Sequence, residues 1–107
     1  MDARNVLPGT LDLLILKSVS LSPLYGYGIL LRIEEITGRA LAIEQGALYP
    51  ALYRLERQGL LDTDWGTSDN NRRTKYYKLT PAGRKRLRQD TENWHRIAQA
   101  MAAALAC

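Results

Sequence analysis

The chain has 107 residues, with 15 Lys+Arg, 11 Asp+Glu, one His, one Cys and a formal net charge of +4. That length supports one domain with a modest core and argues against a large enzyme with a deep cleft. The apolar share is ordinary, which argues against disorder, and no apolar segment approaches the roughly 18 residues of a membrane span. Residues 1–5 lack the charged start and cleavage site of a signal peptide, so a cytoplasmic protein is expected.

Pro8, Gly9 and Thr10 open the fold. Thr10 suits an N-cap, and Asp12 falls in the first turn, where the helix dipole favours it. Leu11, Leu14, Ile15 and Val19 recur at helical spacing, while Leu13 and Leu16 widen the stripe beyond one core face, so the helix should be covered on two sides. Ser22-Pro23 breaks it. A second helix is predicted from near Tyr25 to Thr37, with Ile29, Leu30, Ile33 and Ile36 inward and Gly38 as its stop. Gly26 and Gly28 are expected to allow close packing against the first helix. Leu41-Ala42-Ile43-Glu44 is partly β-branched and reads as a brief strand.

Residues 45–61 are the pivot. At about 100° per residue, Leu48, Ala51, Leu52 and Leu55 fall on one side. Tyr49, Tyr53, Arg54 and Arg57 fall on the other, with Gly46 and Pro50 among them. A helix that buries leucines and displays tyrosines and arginines suits an anionic, grooved partner such as duplex DNA. Pro50 is placed near its first turn, and Gly59 ends it with Leu60 folding back. Leu60 to Trp65 and Thr74 to Leu79 alternate as two strands around a polar tip at residues 66–71. Three helices followed by such a hairpin make a winged helix-turn-helix. Thr80-Pro81 then opens a last helix running to near Ala106, about 39 Å long. Leu87, Trp94, Ile97, Met101 and Leu105 form a stripe along it that one small domain cannot cover, so the stripe calls for a second chain. The fold class is therefore mainly α with a small β-hairpin wing: a DNA-binding domain at 1–80 and a dimerisation helix at 81–107.

Charge is unevenly placed. Residues 70–89 contain eight basic residues (Arg72, Arg73, Lys75, Lys78, Arg84, Lys85, Arg86, Arg88) and no acidic one, while the remainder holds seven basic and eleven acidic. Such a concentration marks a polyanion binder. The lone Cys107 and lone His95 have no neighbours with which to hold a metal, and there is no nucleophile elbow or phosphate loop. No catalytic residue, metal or cofactor is expected.

Several motifs together resemble the PadR family of transcriptional regulators. Residues 8–16, Pro-Gly-Thr-Leu-Asp-Leu-Leu-Ile-Leu, are similar to that family's opening. Residues 24–29, Leu-Tyr-Gly-Tyr-Gly-Ile, are similar to its second-helix motif. Residues 46–61 resemble its recognition helix. Residues 73–83, from Arg-Thr-Lys-Tyr-Tyr to Thr-Pro-Ala-Gly, resemble its wing strand and the start of its last helix. The resemblance implies a homodimeric repressor that binds a near-palindromic operator, and many members release DNA on binding a small aromatic compound. Ala47 stands where a small hydroxyl residue is common, which removes one phosphate hydrogen bond. The chain also ends after a single C-terminal helix, as in the family's short branch.

Residue by residue, Tyr49, Tyr53 and Arg54 would face the major groove, with Gln45 at the start of the helix and Gly46, Ala47 and Pro50 on the same surface. Arg72, Arg73 and Lys75 would let the wing grip phosphates or enter the minor groove. Tyr25 and Tyr27 would reach backbone phosphates, and of the alternating Tyr76 and Tyr77 one belongs to the core. Leu87, Trp94, Ile97, Met101 and Leu105 would form the dimer seam. In members that respond to drugs, a tryptophan on the last helix lines a pocket between subunits, so Trp94 with Leu13 and Leu16 is the candidate effector pocket. The alternative reading is a winged-helix adapter for protein partners, against which the basic wing argues.

Overall fold

The computed structural model describes residues 9–107; residues 1–5, and Pro8 of the opening motif, lie outside the described part. Helix α1 spans Leu11–Leu21, strand β1 Leu24–Tyr25, helix α2 Gly26–Ile36, helix α3 Gln45–Arg57, strands β2 and β3 Leu61–Thr67 and Arg73–Leu79, and helix α4 Pro81–Ala106. The chain is thus mainly helical, with a three-stranded antiparallel sheet in the order β1-β3-β2. Helices α2 and α3 form the helix-turn-helix, and β2 and β3 form the wing.

Helix α1 runs through the centre and touches α2, α3, α4 and β3, as its wide leucine stripe requires. Ile15, Leu16 and Val19 are buried in one cluster with Ile29 and Ile33 of α2 and Leu48, Leu52 and Leu55 of α3. Ser18 is buried among them, and its hydroxyl donates to the Leu14 carbonyl at 2.8 Å, so no polar atom is stranded. The outer end of the predicted α2 stripe is different: Ile36 is exposed.

Both helix stops follow from glycine in the left-handed region. Gly38 (φ +61°) and Gly59 (φ +74°) close α2 and α3. In each case the third residue beyond the helix donates back across a full turn: Arg39 N–H to Glu34 C=O at 2.7 Å, and Leu60 N–H to Leu55 C=O at 3.0 Å. This pattern satisfies carbonyls that the helix end would leave bare. Leu60 is buried as a result.

Thr80 joins three elements. Its hydroxyl accepts from Gly83 N–H at 2.9 Å, capping α4, and donates to the Gly59 carbonyl at 2.7 Å. Gly83 is buried there, and a Cβ on it would collide with the Leu60 carbonyl oxygen. The root of α4 is therefore locked to the end of α3. Leu87 packs against the core, and beyond it the helix runs past the start of α1 as far as Ile97 before its last turns. The radius of gyration, 14.9 Å, exceeds the roughly 13 Å expected of a compact chain of this length.

Four local expectations are corrected. Residues 41–44 form no strand; only Ala42 makes an isolated bridge. The third strand is β1, where Pro23 keeps the chain extended and Leu24 and Tyr25 pair with Tyr77 and Tyr76. Gly26 and Gly28 do not serve contact with α1. A Cβ on Gly26 would sit 2.8 Å from the Tyr49 ring of α3, and one on Gly28 would press on Tyr25. Pro50 lies in the second turn of α3 and has no N–H to give the Gly46 carbonyl, yet the helix continues through it.

Candidate nucleic-acid interface

Helix α3 is held by its leucines and shows the opposite face. Gln45, Gly46, Ala47, Tyr49, Pro50, Tyr53, Arg54 and Arg57 are all exposed. The two tyrosines are not equivalent. Tyr49 is 47% exposed, and its ring lies over Gly26, so it also serves as packing between α2 and α3. Tyr53 is 62% exposed, with the Arg57 guanidinium 5.7 Å from its ring centroid. Tyr53, Arg54, Arg57 and Gln58 line one shallow depression on this surface.

At the N-terminus of α2, Tyr25 meets Tyr76 edge to face, with centroids 6.1 Å apart. Tyr25 and Tyr27 are both exposed beside the Gly26–Tyr49 contact, so these residues and α3 share a surface. Of the tyrosine pair on β3, Tyr77 is the core member. Burial pushes its hydroxyl above the ordinary phenol value, while the nearby Lys75 ammonium pulls the other way.

The cations divide into tethered and free. Arg54 donates to the Asp12 carboxylate of α1, a contact across 42 positions of sequence. The expected base-reading arginine is therefore engaged within the protein. Lys75 is likewise not a free wing cation: its ammonium lies 3.3 Å from Glu56 of α3 and 5.4 Å from the Tyr77 ring centroid, bracing wing to helix. Lys78 pairs with Asp64 across the hairpin at 2.8 Å, and this hydrogen bond raises its pKa. Among the described residues, Arg72, Arg73, Arg84, Lys85, Arg86 and Arg88 have no acidic partner. Free positive charge is thus found at the wing tip, along the first turns of α4, and at Arg57 on the face of α3.

Two features escaped sequence reasoning. Asp12 pairs with Arg54, and no local pattern announces a contact between elements so far apart in sequence. The guanidinium of Arg73 lies over the ring of Trp65 on β2. Strand alternation could have placed these two on one face, because Trp65 opposes Lys75 and Thr67 opposes Arg73.

The outer face of α4 leaves Trp94, Ile97, Met101 and Leu105 exposed. Between α4 and the start of α1 lies an open groove of about 300 Å³, lined by Gly9, Thr10, Leu13, Asp90, Asn93, Trp94 and Ile97. Leu13 and Trp94 both line it. Leu16 does not line it: the residue is fully buried in the core, one helical turn inward. No helix among the described residues is long and apolar enough to cross a membrane, and no His, Cys, Asp and Glu side chains there cluster as metal ligands.

The model of the transcriptional regulator PadR-like family matches residues 15–89. A transcriptional regulator from Clostridium thermocellum superposes with a TM-score of 0.78 at 31% identity, covering 87% of this chain and 90% of the other. A PadR family regulator from Clostridium difficile superposes with a TM-score of 0.77 at 29% identity, covering 91% and 99%. The transcriptional regulator Rv3488 of Mycobacterium tuberculosis is 35% identical over 66 residues, 62% of this chain and 61% of that protein.

Proposed function

Since the chain belongs to the PadR-like family of transcriptional regulators, and is a DNA-binding regulator rather than an enzyme or a protein adapter, we propose that it acts as a homodimeric repressor on a near-palindromic operator. The observation that carries this reading is the pairing of two opposite surfaces. One is the polar, aromatic face of α3 beside the Arg72–Arg73 wing tip; the other is the uncovered apolar face of α4. In this reading residues 1–80 bind DNA and residues 81–107 join two copies, with Leu87 at the root of the seam and Trp94, Ile97, Met101 and Leu105 along it.

Tyr53 and Gln45 read base edges, Arg54 does so after exchanging Asp12 for the duplex, and Tyr49 contacts DNA while packing on Gly26. Gly46, Ala47 and Pro50 let the backbone of α3 approach closely, and Tyr25 and Tyr27 hydrogen-bond to phosphates. Arg72 and Arg73 neutralise phosphates at the wing, whereas Lys75 holds the wing against α3. A small, flat aromatic effector enters the groove of Leu13 and Trp94, which a second copy would roof, and shifts the dimer away from DNA.

The test is selection of duplexes from a random pool by the full-length protein, followed by sedimentation of the free protein. The expected outcome is an inverted repeat with half-sites about one helical turn apart, bound by a dimer. Failure to retain any duplex, or a single unrepeated half-site bound by a monomer, would overturn the reading.

A further inference from the structure

Trp65 is an aromatic side chain that the core does not claim. It stands on β2 with 58% of its surface exposed. In the hairpin register Trp65 opposes Lys75 and Thr67 opposes Arg73, so Trp65 and Arg73 are diagonal neighbours on one face. The Arg73 guanidinium lies over the indole, 4.5 Å from the ring centroid. Deeper on the same face Tyr77 is buried, and Lys75 between them turns to Glu56. On this face Arg73 alone keeps a cation without an acidic partner among the described residues. It is also held in one direction by an aromatic platform.

The position over the ring decides what this arrangement can do. A guanidinium has five N–H donors, and attraction to a π face does not occupy them as a carboxylate partner would, so donors remain open to another acceptor. An arginine held in this way presents a fork that matches a phosphate with two parallel hydrogen bonds. An unsupported arginine on an exposed strand would first have to lose its rotamer freedom. We propose that Trp65 is a positioning residue for DNA binding, holding Arg73 ready for a backbone phosphate beside the wing. The proposal rests on the DNA-binding reading above and adds to it a residue that contributes no charge.

The experiment titrates full-length protein with a fluorescent 24-base-pair duplex of random sequence over a series of salt concentrations. The variants are Trp65→Leu, Trp65→Phe, Arg73→Ala and the double variant Trp65→Leu with Arg73→Ala. Leucine keeps bulk on the strand without a π face, and phenylalanine keeps the platform. Trp65→Leu should weaken binding about three- to ten-fold, the cost of ordering one long side chain. The salt slope should not change, since the number of phosphate contacts is the same. Trp65→Phe should restore most of the loss. Arg73→Ala should lower the salt slope by about one, and adding Trp65→Leu to it should weaken binding no further. A general defect in the wing would instead make the two losses additive and leave phenylalanine no better than leucine. Additive losses, or wild-type binding by Trp65→Leu, would overturn the proposal while leaving the DNA-binding reading intact. A wild-type protein that ignores the duplex would overturn both.

Discussion

Leu48, Leu52 and Leu55 repeat along α3 much as Trp94, Ile97, Met101 and Leu105 repeat along α4, and the two stripes meet opposite fates. The first three are fully buried by the chain's own α1 and α2, whereas the last four are 40–78% exposed. Periodicity reveals that a helix has an apolar face; it does not say what covers that face. For α3 the cover is intramolecular, so its opposite face is left to act outward. For α4 the described residues supply full cover near the root, through Gly83 and Leu87, and partial cover at Trp94 and Ile97 beside the start of α1, while Met101 and Leu105 are left more exposed. One helix shows its polar side because its apolar side is satisfied, and the other keeps its apolar side partly exposed because, among the described residues, only the start of α1 borders it, at Trp94 and Ile97.

The sharpest way to test this contrast is to truncate one residue in each stripe. Leu52→Ala should cost about 2–5 kcal/mol of unfolding free energy, read by urea denaturation followed by circular dichroism, and the cost should not depend on protein concentration. Met101→Ala should cost less, and its cost should shrink as the protein is diluted below its self-association constant, because it acts on a dimer. A negligible, concentration-independent loss for Met101→Ala would show that the α4 stripe is ordinary surface.

The second test breaks the α4 seam directly. Met101→Glu places a charge within an apolar interface and should weaken self-association by about 2–4 kcal/mol. Sedimentation should shift from dimer to monomer at micromolar concentration, with helix content retained. A wild-type chain that is already monomeric there would refute the premise.

The contrast also explains what could be read before the structure was in hand. The four helices, their glycine stops and the hairpin follow from local patterns: apolar spacing, Thr80-Pro81, Gly59-Leu60 and strand alternation. What escaped depends on distant partners. Strand β1 has only two residues and exists because β3 offers Leu24 and Tyr25 an edge at Tyr77 and Tyr76, whereas the β-branched look of residues 41–44 found no such edge and formed one bridge at Ala42. The role of Gly26 needs Tyr49, and the roles of Asp12 and Glu56 need Arg54 and Lys75. Ion pairs between elements leave no periodic trace, so counting cations overstated the free charge near α3, where Arg54 and Lys75 are paired.

A third, smaller effect concerns the outward face of α3. Arg54→Ala should cost about 1–3 kcal/mol on the selected operator if Arg54 makes a bidentate contact to guanine, and markedly less on random duplex. Equal losses on both would assign Arg54 to phosphate positioning and leave base choice to Tyr53, Gln45 and DNA shape.

The smallest effect should come from Asp12, which shows whether α3 is braced for reading or merely exposed. The Arg54–Asp12 pair is partly solvated, so as an ion pair it contributes only about 0–1 kcal/mol to stability. Its influence on binding should exceed its influence on folding, because it sets where the guanidinium waits. Asp12→Asn removes an anion from the proposed DNA surface and would free Arg54 to contact phosphates there. Random duplex should therefore bind up to a few-fold more tightly, by roughly the same 0–1 kcal/mol, while the operator gains less. The ratio between the two should fall, with the unfolding midpoint nearly unchanged. Paired titrations of both duplexes at one salt concentration decide the matter. If the two affinities rise by the same factor, Asp12 acts only through its charge. If the operator gains more than random duplex, Asp12 restrains the reading arginine rather than aiming it.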